Sequence, residues 1–335
     1  MRLEFSSTWE TLPSISVSAL LSIFSHKQFK RNIMPHKSGF VSIIGKPNVG
    51  KSTLLNSLLG EKLSITTSKP QTTRKKILGI LSSENYQIIF QDTPGILNPE
   101  YLLQERMLEY VFQSVKDSEL VLFIIDIKED PTGSQTLGDE RVSRILNSIE
   151  TKKILLINKI DLSDQTIVER LINDLTSKGM FEKIIPISAA EGFNLGSVID
   201  TILEYLPEHP KYFPDDQLSD ENERFFVSEI IREKVFERYR DEIPYSTEII
   251  IAEFKERENA KDYISAEIVV EKDSQKPIIL GSKGDAIKRL GQEARTAIEK
   301  FLQHEVYLEL RVKVRDKWRS NPVILKSFGY KKDDE

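Results

Sequence analysis

The segment GKPNVGKST, at residues 45–53, combines residue types and a spacing that suit the binding of a phosphate chain. It matches the pattern G-x-x-x-x-G-K-[ST]. The glycines let backbone N–H groups turn towards phosphate oxygens, at the positive end of the following helix dipole. The lysine offers a charge to the outer phosphates, and the serine hydroxyl is a ligand for Mg²⁺. We therefore predict a nucleotide site with Mg²⁺, contacted by Gly45, Lys46, Pro47, Asn48, Val49, Gly50, Lys51, Ser52 and Thr53.

The segment NKID, at residues 158–161, predicts that the base is guanine. Guanine has two donors on one edge, N1–H and the 2-amino group, and the Asp161 carboxylate can accept from both, whereas adenine lacks this pair. We expect Asn158 at the far edge of the base and the stem of Lys159 across its face. The backbone of Ser188 and Ala189, after the next predicted strand, is placed to brace the base. GTP and GDP are the predicted ligands.

The segment DTPG, at residues 92–95, is placed to respond to the terminal phosphate. It follows a predicted strand, so we expect Asp92 to hold Mg²⁺ through water and the Gly95 amide to contact the γ-phosphate. Thr93 and Pro94 lie between them and are expected to line the nucleotide site as well.

The polar segment SKPQTTRKK, at residues 68–76, is the predicted switch loop. Either Thr72 or Thr73 could close onto the metal when GTP is bound; we prefer Thr73, and the alternative is an ordinary basic loop. Such loops order and disorder with the γ-phosphate. The predicted metal ligands are Ser52, Thr73 and Asp92. The predicted catalytic and switch residues are Asn48, Lys51, Thr72, Thr73 and Gly95.

The elements that must position these residues alternate between strands and helices. Apolar runs typical of buried parallel strands occur at 40–44, 86–90, 120–126, 153–158 and 183–188. Helical patterns occur at 51–60, 102–115, 138–149, 164–177 and 194–206, and 76–83 suits an edge strand beside 86–90. This alternation predicts an α/β domain at residues 37–206, with a mostly parallel sheet and helices on both faces.

A second domain follows a stretch at 207–223 that contains three prolines and many acidic residues and that we interpret as a linker. Residues 224–335 predict a small α+β domain. Its elements are a helix (225–240), strands at 246–256 and 262–273, a helix (284–302) and a strand at 305–315.

The sequence Gly281-Ser282-Lys283-Gly284 precedes an amphipathic helix, and such a GXXG turn lets a single-stranded nucleic-acid backbone approach closely. Residues 276–332 contain 14 Lys and Arg against 6 Asp and Glu, whereas residues 211–275 contain 10 against 18. Positive charge is therefore concentrated around this turn, as phosphate neutralisation requires. The alternative is a solvated helix face. Lys288 and Arg289, with the turn itself, are the predicted RNA contacts.

The motifs together resemble the Era family of ribosome-assembly GTPases. The likeness rests on the run from Gly45 through "KSTLLNSLLGEKLSITTSKPQTTRKKILGI", followed by DTPGI, NKID and ISA, and it extends from about Lys37 to Phe328. The resemblance implies an α/β P-loop GTPase domain followed by an α+β type II KH domain. It also implies binding to the 3′ end of small-subunit (16S-type) ribosomal RNA and a role in assembly of the 30S-type subunit. We further predict a cytoplasmic monomer, since the absence of cysteine suits a reducing compartment.

Ile96 follows DTPG at the position where Ras-like enzymes carry the Gln that orients the attacking water. One interpretation is a GTP-binding module with negligible turnover. The other is the branch of slow GTPases that carry a hydrophobic residue there. Asn48 then becomes a candidate ligand for K⁺, which would offset developing charge. The alternative role for Asn48 is turn geometry, and both interpretations stay open.

Composition limits the remaining classes. The chain has 335 residues, of which 39% are hydrophobic and 30% charged, with a net charge of −5. The absence of cysteine excludes disulfides, thiolate catalysis and cysteine-ligated zinc. Residues 1–36 form a predicted leader whose uncharged stretch at 11–25 is too short and serine-rich for a bilayer span. We favour a true start at Met34; the alternatives are an organellar transit peptide and peripheral membrane association through the leader or tail.

Overall fold

The computed structural model describes residues 36–258 and 260–330. The predictions for the leader, including a start at Met34, and for the extreme tail therefore lie outside the described residues. His36–Glu335 belong to one compact unit. No helix within the described ranges combines the length and the apolar composition that a membrane span requires.

Nine strands and ten α-helices make up the described part of the chain. The strands are β1 (Lys37–Gly45), β2 (Ile77–Ser82), β3 (Tyr86–Asp92), β4 (Leu120–Asp126), β5 (Lys152–Asn158), β6 (Lys183–Pro186), β7 (Glu248–Lys255), β8 (Asp262–Val270) and β9 (Val306–Val314). The helices are α1 (Lys51–Leu59), α2 (Leu102–Lys116), α3 (Ser134–Leu137), α4 (Glu140–Ser148), α5 (Gln165–Ser177), α6 (Leu195–Tyr205), α7 (Glu223–Arg238), α8 (Gln275–Leu280), α9 (Asp285–Leu302) and α10 (Pro322–Ser327).

The larger sheet has six strands in the order β2-β3-β1-β4-β5-β6, and all neighbours are parallel except the antiparallel edge pair β2–β3. Every residue of β4 is buried, and its side chains alternate between two cores. Leu120, Leu122 and Ile124 belong to the core under α1 and α6. Val121 and Phe123 belong to the opposite core, under α2, α4 and α5. The predicted sheet with helices on both faces is therefore confirmed.

The smaller sheet has the order β7-β8-β9, with β7–β8 antiparallel and β8–β9 parallel. Helices α7 and α9 cover one face, where Val227, Ile231 and Leu290 pack against Ile264 and Ile268. Asn222 starts α7 by accepting a hydrogen bond from the Phe225 amide. The order of helix, two strands, two helices and strand is that of a type II KH domain, as the family resemblance implied.

The stretch 207–223 lies along the outer edge of the larger sheet. The Ile80 amide donates to the Leu218 carbonyl at 2.8 Å, and the Gln87 side chain donates to the Phe213 carbonyl at 2.8 Å. The stretch thus covers the backbone edge of β2, which otherwise would be open to a further strand. The predicted domain boundaries at 206 and 223 stay predictions.

Candidate functional site

The phosphate-binding loop joins the end of β1 to the start of α1, as the sequence predicts. Gly50 has a φ of 100°, a backbone conformation that L-residues rarely adopt. A Cβ there would lie 2.3 Å from Asn158 Nδ2, so only glycine fits. The loop therefore packs tightly against the segment NKID.

Lys51 is 6% exposed and donates to the carbonyls of Gly45 (3.2 Å) and Lys46 (2.9 Å). Burial lowers the pKa of Lys51 to about 8, and the charge of Asp92 opposes that shift. A buried ammonium group held by neutral carbonyls is suited to a strongly anionic ligand.

Three oxygen-bearing side chains meet beside this lysine. Ser52 Oγ donates to Asp92 Oδ2 at 2.7 Å, and Thr73 Oγ1 lies 2.9 Å from Ser52 Oγ and 3.3 Å from Asp92 Oδ2. Within the described chain, Asp92 Oδ1 is buried and accepts no hydrogen bond of normal geometry, although the Ser64 hydroxyl is close enough to help lower the pKa of Asp92. Burial raises the pKa of Asp92, while the Ser52 hydrogen bond and the Lys51 charge oppose the rise. Such a cluster of hard oxygens fits Mg²⁺.

The two candidate switch threonines occupy different positions. Thr73 is buried in the oxygen cluster, whereas the Thr72 carbonyl accepts a hydrogen bond from Arg232 of α7. The backbone of Thr72 therefore contacts the second domain, while the Thr73 side chain faces the nucleotide site. This placement favours Thr73 as the metal ligand.

The segment DTPG docks directly on the loop. The Thr93 hydroxyl donates to the Ile43 carbonyl at 2.8 Å, and the Ile96 amide donates to the Gly45 carbonyl at 3.0 Å. A Cβ at Gly95 would lie 2.7 Å from the Pro47 nitrogen. Ile96 is 4% exposed and belongs to the core with Phe123, so its side chain does not line the nucleotide cavity.

The side chains of the segment NKID have two kinds of environment: Asn158 hydrogen-bonds to neighbouring backbone, and Asp161 is exposed to solvent. Asn158 Nδ2 donates to the Val49 carbonyl at 2.8 Å, and its Oδ1 accepts from the Ala189 amide at 3.0 Å. The Nδ2 and Oδ1 atoms of Asn158 are thus both hydrogen-bonded to backbone groups, and the contact of Asn158 with guanine stays a prediction. Asp161 is exposed, and Ser188 is buried through its backbone pair with Phe193.

Lys159 and Asn48 meet across the mouth of the site. Lys159 Nζ donates to the Asn48 carbonyl at 2.9 Å and pairs with Asp126 at 2.6 Å. Asn48 has a φ of 63°, and its Nδ2 donates to the Ser68 carbonyl at 3.0 Å. Asparagine tolerates this backbone conformation better than most residues, which is the turn role that the sequence left open. Binding of K⁺ at Asn48 stays a prediction.

A cavity of about 660 Å³ is lined by residues 46–53 of the loop and by Thr72, Thr73, Thr93, Gly95 and Lys159. The other predicted site residues lie outside this lining: Gly45, Asp92, Pro94, Asn158, Asp161, Ser188 and Ala189.

Residues that the sequence analysis did not single out also line the cavity, among them Asp126, Asp130 and Thr136. Asp126 ends the buried strand β4. Its place at the carboxyl end of a strand, where α/β sheets bind ligands, could have indicated from the sequence that it lines the site. Asp130 accepts a hydrogen bond from the Thr136 amide at 2.7 Å. No sequence motif predicts this contact.

The GSKG turn has a different character. Gly281 has a φ of 72°, and a Cβ there would lie 2.5 Å from Ala286 Cβ, whereas the space around Gly284 is open.

The turn and the first turns of α9 expose the predicted RNA contacts Ser282, Lys283, Lys288 and Arg289. Arg289 pairs with Asp285 at 2.6 Å. Ile278, on α8 beside the turn, is 50% exposed. The predicted RNA contacts therefore share one exposed surface.

The switch loop is also bound to the second domain, which the sequence analysis missed. Arg74 is 3% exposed and its Nη1 donates to the Thr247 carbonyl at 2.7 Å and to Glu248 Oε2 at 2.9 Å. Its Nη2 donates to the Pro244 carbonyl at 3.0 Å. The residue after Thr73 thus forms a buried junction between the domains.

The fold and the site define a P-loop GTPase domain joined to a KH domain. Residues 40–159 match the family model for 50S ribosome-binding GTPases, and residues 242–319 match that for KH domains. The chain is 44% identical to GTPase Era of Clostridium botulinum (strain Okra / Type B1), over 88% of this chain and 99% of that protein. It is 46% identical to GTPase Era of Geobacter sp. (strain M21), over 88% and 98%.

Solved structures agree with these relatives. A crystal structure of Era with MgGDPNP and nucleotides 1506-1542 of 16S ribosomal RNA has a TM-score of 0.82 and 40% identity, covering 88% of this chain and 99% of that one. A variant of Aquifex aeolicus Era bound to GDP.AlF4⁻ is similar to this chain with the same TM-score, identity and coverage. This chain belongs to the Era family of GTPases.

Proposed function

We propose that this chain binds GTP in the cavity at residues 45–53, hydrolyses it to GDP and phosphate, and binds the 3′ end of small-subunit ribosomal RNA through its KH domain. In this proposal the nucleotide state regulates a role in assembly of the 30S-type subunit. Support comes from membership of the Era family and from the similar Era structure with MgGDPNP and 16S ribosomal RNA.

The observation that carries the enzymatic part is the oxygen cluster of Ser52, Thr73 and Asp92. Asp92 Oδ1 is a buried carboxylate oxygen that accepts no hydrogen bond of normal geometry among the described residues, and leaving it so is costly. We propose that Ser52 and Thr73 ligate Mg²⁺ directly and that Asp92 holds it through water. When bound, the ion neutralises charge on the β- and γ-phosphates.

Hydrolysis in this proposal relies on charge and backbone groups, because the side chain of Ile96 is buried in the core. Lys51 stabilises negative charge on the outer phosphates, and the Gly95 amide donates to the γ-phosphate. The hydrogen bond from the Ile96 amide to the Gly45 carbonyl fixes this segment beside the loop. Water attacks the γ-phosphorus, GDP leaves with the β–γ bridging oxygen, and a proton of the water passes to the phosphate product. Without a side chain to orient the water, turnover is slow.

Guanine recognition and K⁺ binding complete the proposed nucleotide site. The exposed Asp161 accepts from the guanine edge, and the stem of Lys159 covers the ring. Asn158 contributes by holding Val49 and Ala189 together. The Asn48 side chain, at the rim of the cavity, is the proposed ligand for K⁺ beside the β- and γ-phosphates.

The RNA part of the proposal rests on the exposed GSKG turn. Lys283, Lys288 and Arg289 offer cationic groups to phosphates, and the glycines let the RNA backbone approach. The exposed Ile278 is placed to flank a base. We propose that residues 37–206 and 224–335 are the functional domains and that the protein acts as a cytoplasmic monomer.

Two assays on the full chain test this function. GTP turnover is measured with Mg²⁺, with and without a short single-stranded fragment of the 3′ end of small-subunit ribosomal RNA. Binding of the same fragment is compared between the wild type and Lys288→Glu, which reverses the charge at an exposed position of α9 without changing a positive-φ residue. We expect slow turnover and weakened RNA binding in the variant. Normal RNA binding by the variant would contradict the proposed RNA site, and absent turnover would contradict the enzyme.

A further inference from the structure

A second cavity, of about 200 Å³, lies where the segment after Thr73 meets the KH domain. A single water molecule needs about 10–15 Å³ of such cavity volume, so the cavity has room for a small ligand with accompanying water. Four of its lining side chains are cationic and two are carboxylates, which gives the lining a net charge of +2. These are Arg74, Lys75, Arg224, Arg232, Glu229 and Glu248.

The two carboxylates of this interdomain cavity are already engaged. Glu248 Oε2 accepts from Arg74 Nη1 at 2.9 Å and from the Tyr330 hydroxyl at 2.8 Å. Glu229 Oε1 accepts from Arg232 Nε at 2.8 Å, and Glu229 Oε2 accepts from Arg232 Nη2. In the described part of the chain neither acid forms an ion pair with Lys75 or Arg224, although the charge of Glu221, outside the cavity lining, acts on Lys75.

The cationic groups of the cavity keep donors that are available to a ligand. Arg232 is 1% exposed, yet its Nη1 has no hydrogen-bond partner in the part of the chain that the structure describes. Among the described residues, Lys75 Nζ has three donors, one hydrogen-bond acceptor, the Phe328 carbonyl at 2.8 Å, and a contact with the Tyr330 ring, whose centroid is 4.9 Å away. Within the same described ranges Arg224 is exposed and makes no ion pair. Leaving a buried guanidinium nitrogen unpaired is unfavourable, so the arrangement favours an anion.

We propose that this interdomain cavity binds an oxyanion of the phosphate class, held by Arg224 and Arg232 of α7 and by Lys75 of the GTPase domain. Guanidinium groups match phosphate oxygens in geometry and form charge-assisted hydrogen bonds with them. The phosphate belongs either to a small ligand or to an RNA backbone, and the recognition chemistry is the same for both.

The cavity lies at the contact between the switch loop and the KH domain, so a bound anion affects that contact. Arg232 also donates to the Thr72 carbonyl, next to the proposed metal ligand Thr73. An anion bridging Lys75 and α7 therefore strengthens the contact between the switch loop and the KH domain. The site is separate from the nucleotide cavity and from the GSKG turn.

Inorganic phosphate is the probe. It is titrated into the full chain at constant ionic strength by calorimetry, with the nucleotide site saturated by a non-hydrolysable GTP analogue and Mg²⁺. We expect one saturable site whose Kd rises about tenfold in Arg224→Ala, because a charge-assisted contact is lost. Lys234→Ala, on the same helix outside the cavity, should leave the Kd unchanged. Arg232→Lys, which keeps the charge but loses the fork, should also weaken binding.

A second arm adds the single-stranded ribosomal RNA fragment to the phosphate-loaded protein. Displacement of phosphate, with a parallel loss of RNA affinity in Arg224→Ala, assigns the site to an RNA phosphate. Simultaneous binding of both assigns it to a small phosphate-bearing ligand. No saturable phosphate site, or the same phosphate Kd in Arg224→Ala as in Lys234→Ala, would overturn the proposal. The phosphate arm does not depend on whether the protein binds RNA.

Discussion

The nucleotide cavity and the GSKG turn both offer cationic groups to phosphate, but they are built differently. The nucleotide site contains four buried residues that hydrogen-bond to neighbours in the same site: Lys51, Ser52, Thr73 and Asp92. The side chain of Lys283 on the turn is exposed. Each preorganised buried group makes a large contribution of its own to stabilising ligand charge. Exposed charges each contribute little, and their effect on nucleic-acid binding is the sum of many contacts. Substitutions in the two regions should therefore differ in both size and kind.

The largest expected effect is on turnover in Lys51→Ala. Removing a buried charge that stabilises the transferring phosphoryl group should lower kcat roughly 10²–10³-fold. RNA binding should be unchanged, because the GSKG turn is in the other domain. The measurement is phosphate release from GTP, with Lys152→Ala, a surface lysine paired with Glu182, as the matched control. Equal loss of turnover in both variants would contradict the special role of the buried lysine.

A smaller effect is expected on stability in Asn158→Ala. The change leaves the buried Val49 carbonyl and Ala189 amide without their partner, which should lower the free energy of unfolding by about 2 kcal/mol. Chemical denaturation in the absence of nucleotide measures it. Asn147→Ala, at an exposed position of α4, is the control and should change stability little. A midpoint equal to that of the wild type would show that Asn158 does not brace the loop.

The GSKG turn should respond more weakly to a single substitution. Lys283→Ala removes one phosphate contact, so RNA affinity should fall severalfold at low salt. The slope of log affinity against log salt should decrease by about 0.7. GTP turnover without RNA should not change. Lys300→Ala, near the other end of α9, provides the control; the same slope in both variants would mean that Lys283 does not contact phosphate.

The smallest effect concerns monovalent cations. If Asn48 ligates K⁺, turnover should be about threefold faster in K⁺ than in Na⁺, a difference of ~0.65 kcal/mol. Asn48→Ala should remove the difference, since the proposed ligand is lost. Equal rates in the two salts would favour the turn role, which its φ of 63° already supports.

Local patterns were sufficient for much of this architecture. The loop at 45–53 follows a strand and starts a helix, the edge strand β2 lies beside β3, and the GSKG turn precedes α9, all as predicted. The antiparallel direction of the β2–β3 pair is a finding of the structure. These features depend on residue types within a few positions of each other, which a single sequence displays.

Contacts between distant residues were not predictable in the same way. Arg74 is one of many basic residues in a polar loop, and nothing local indicates that Pro244 and Thr247 will bury it. The stretch 207–223 has the composition of a linker, yet it hydrogen-bonds along β2 because a sheet edge needs partners. The burial of Ile96 likewise depends on packing against α2 and β4 rather than on the motif around it.

The most direct test of the central claim is GTP turnover by the full chain with Mg²⁺, measured in the wild type and in Ile96→Leu. We expect slow GDP formation that is nearly equal in the two proteins, because Lys51 and backbone amides stabilise the reaction while residue 96 only fills the core. GDP formation no faster than in buffer alone, for the folded wild-type chain, would contradict this expectation.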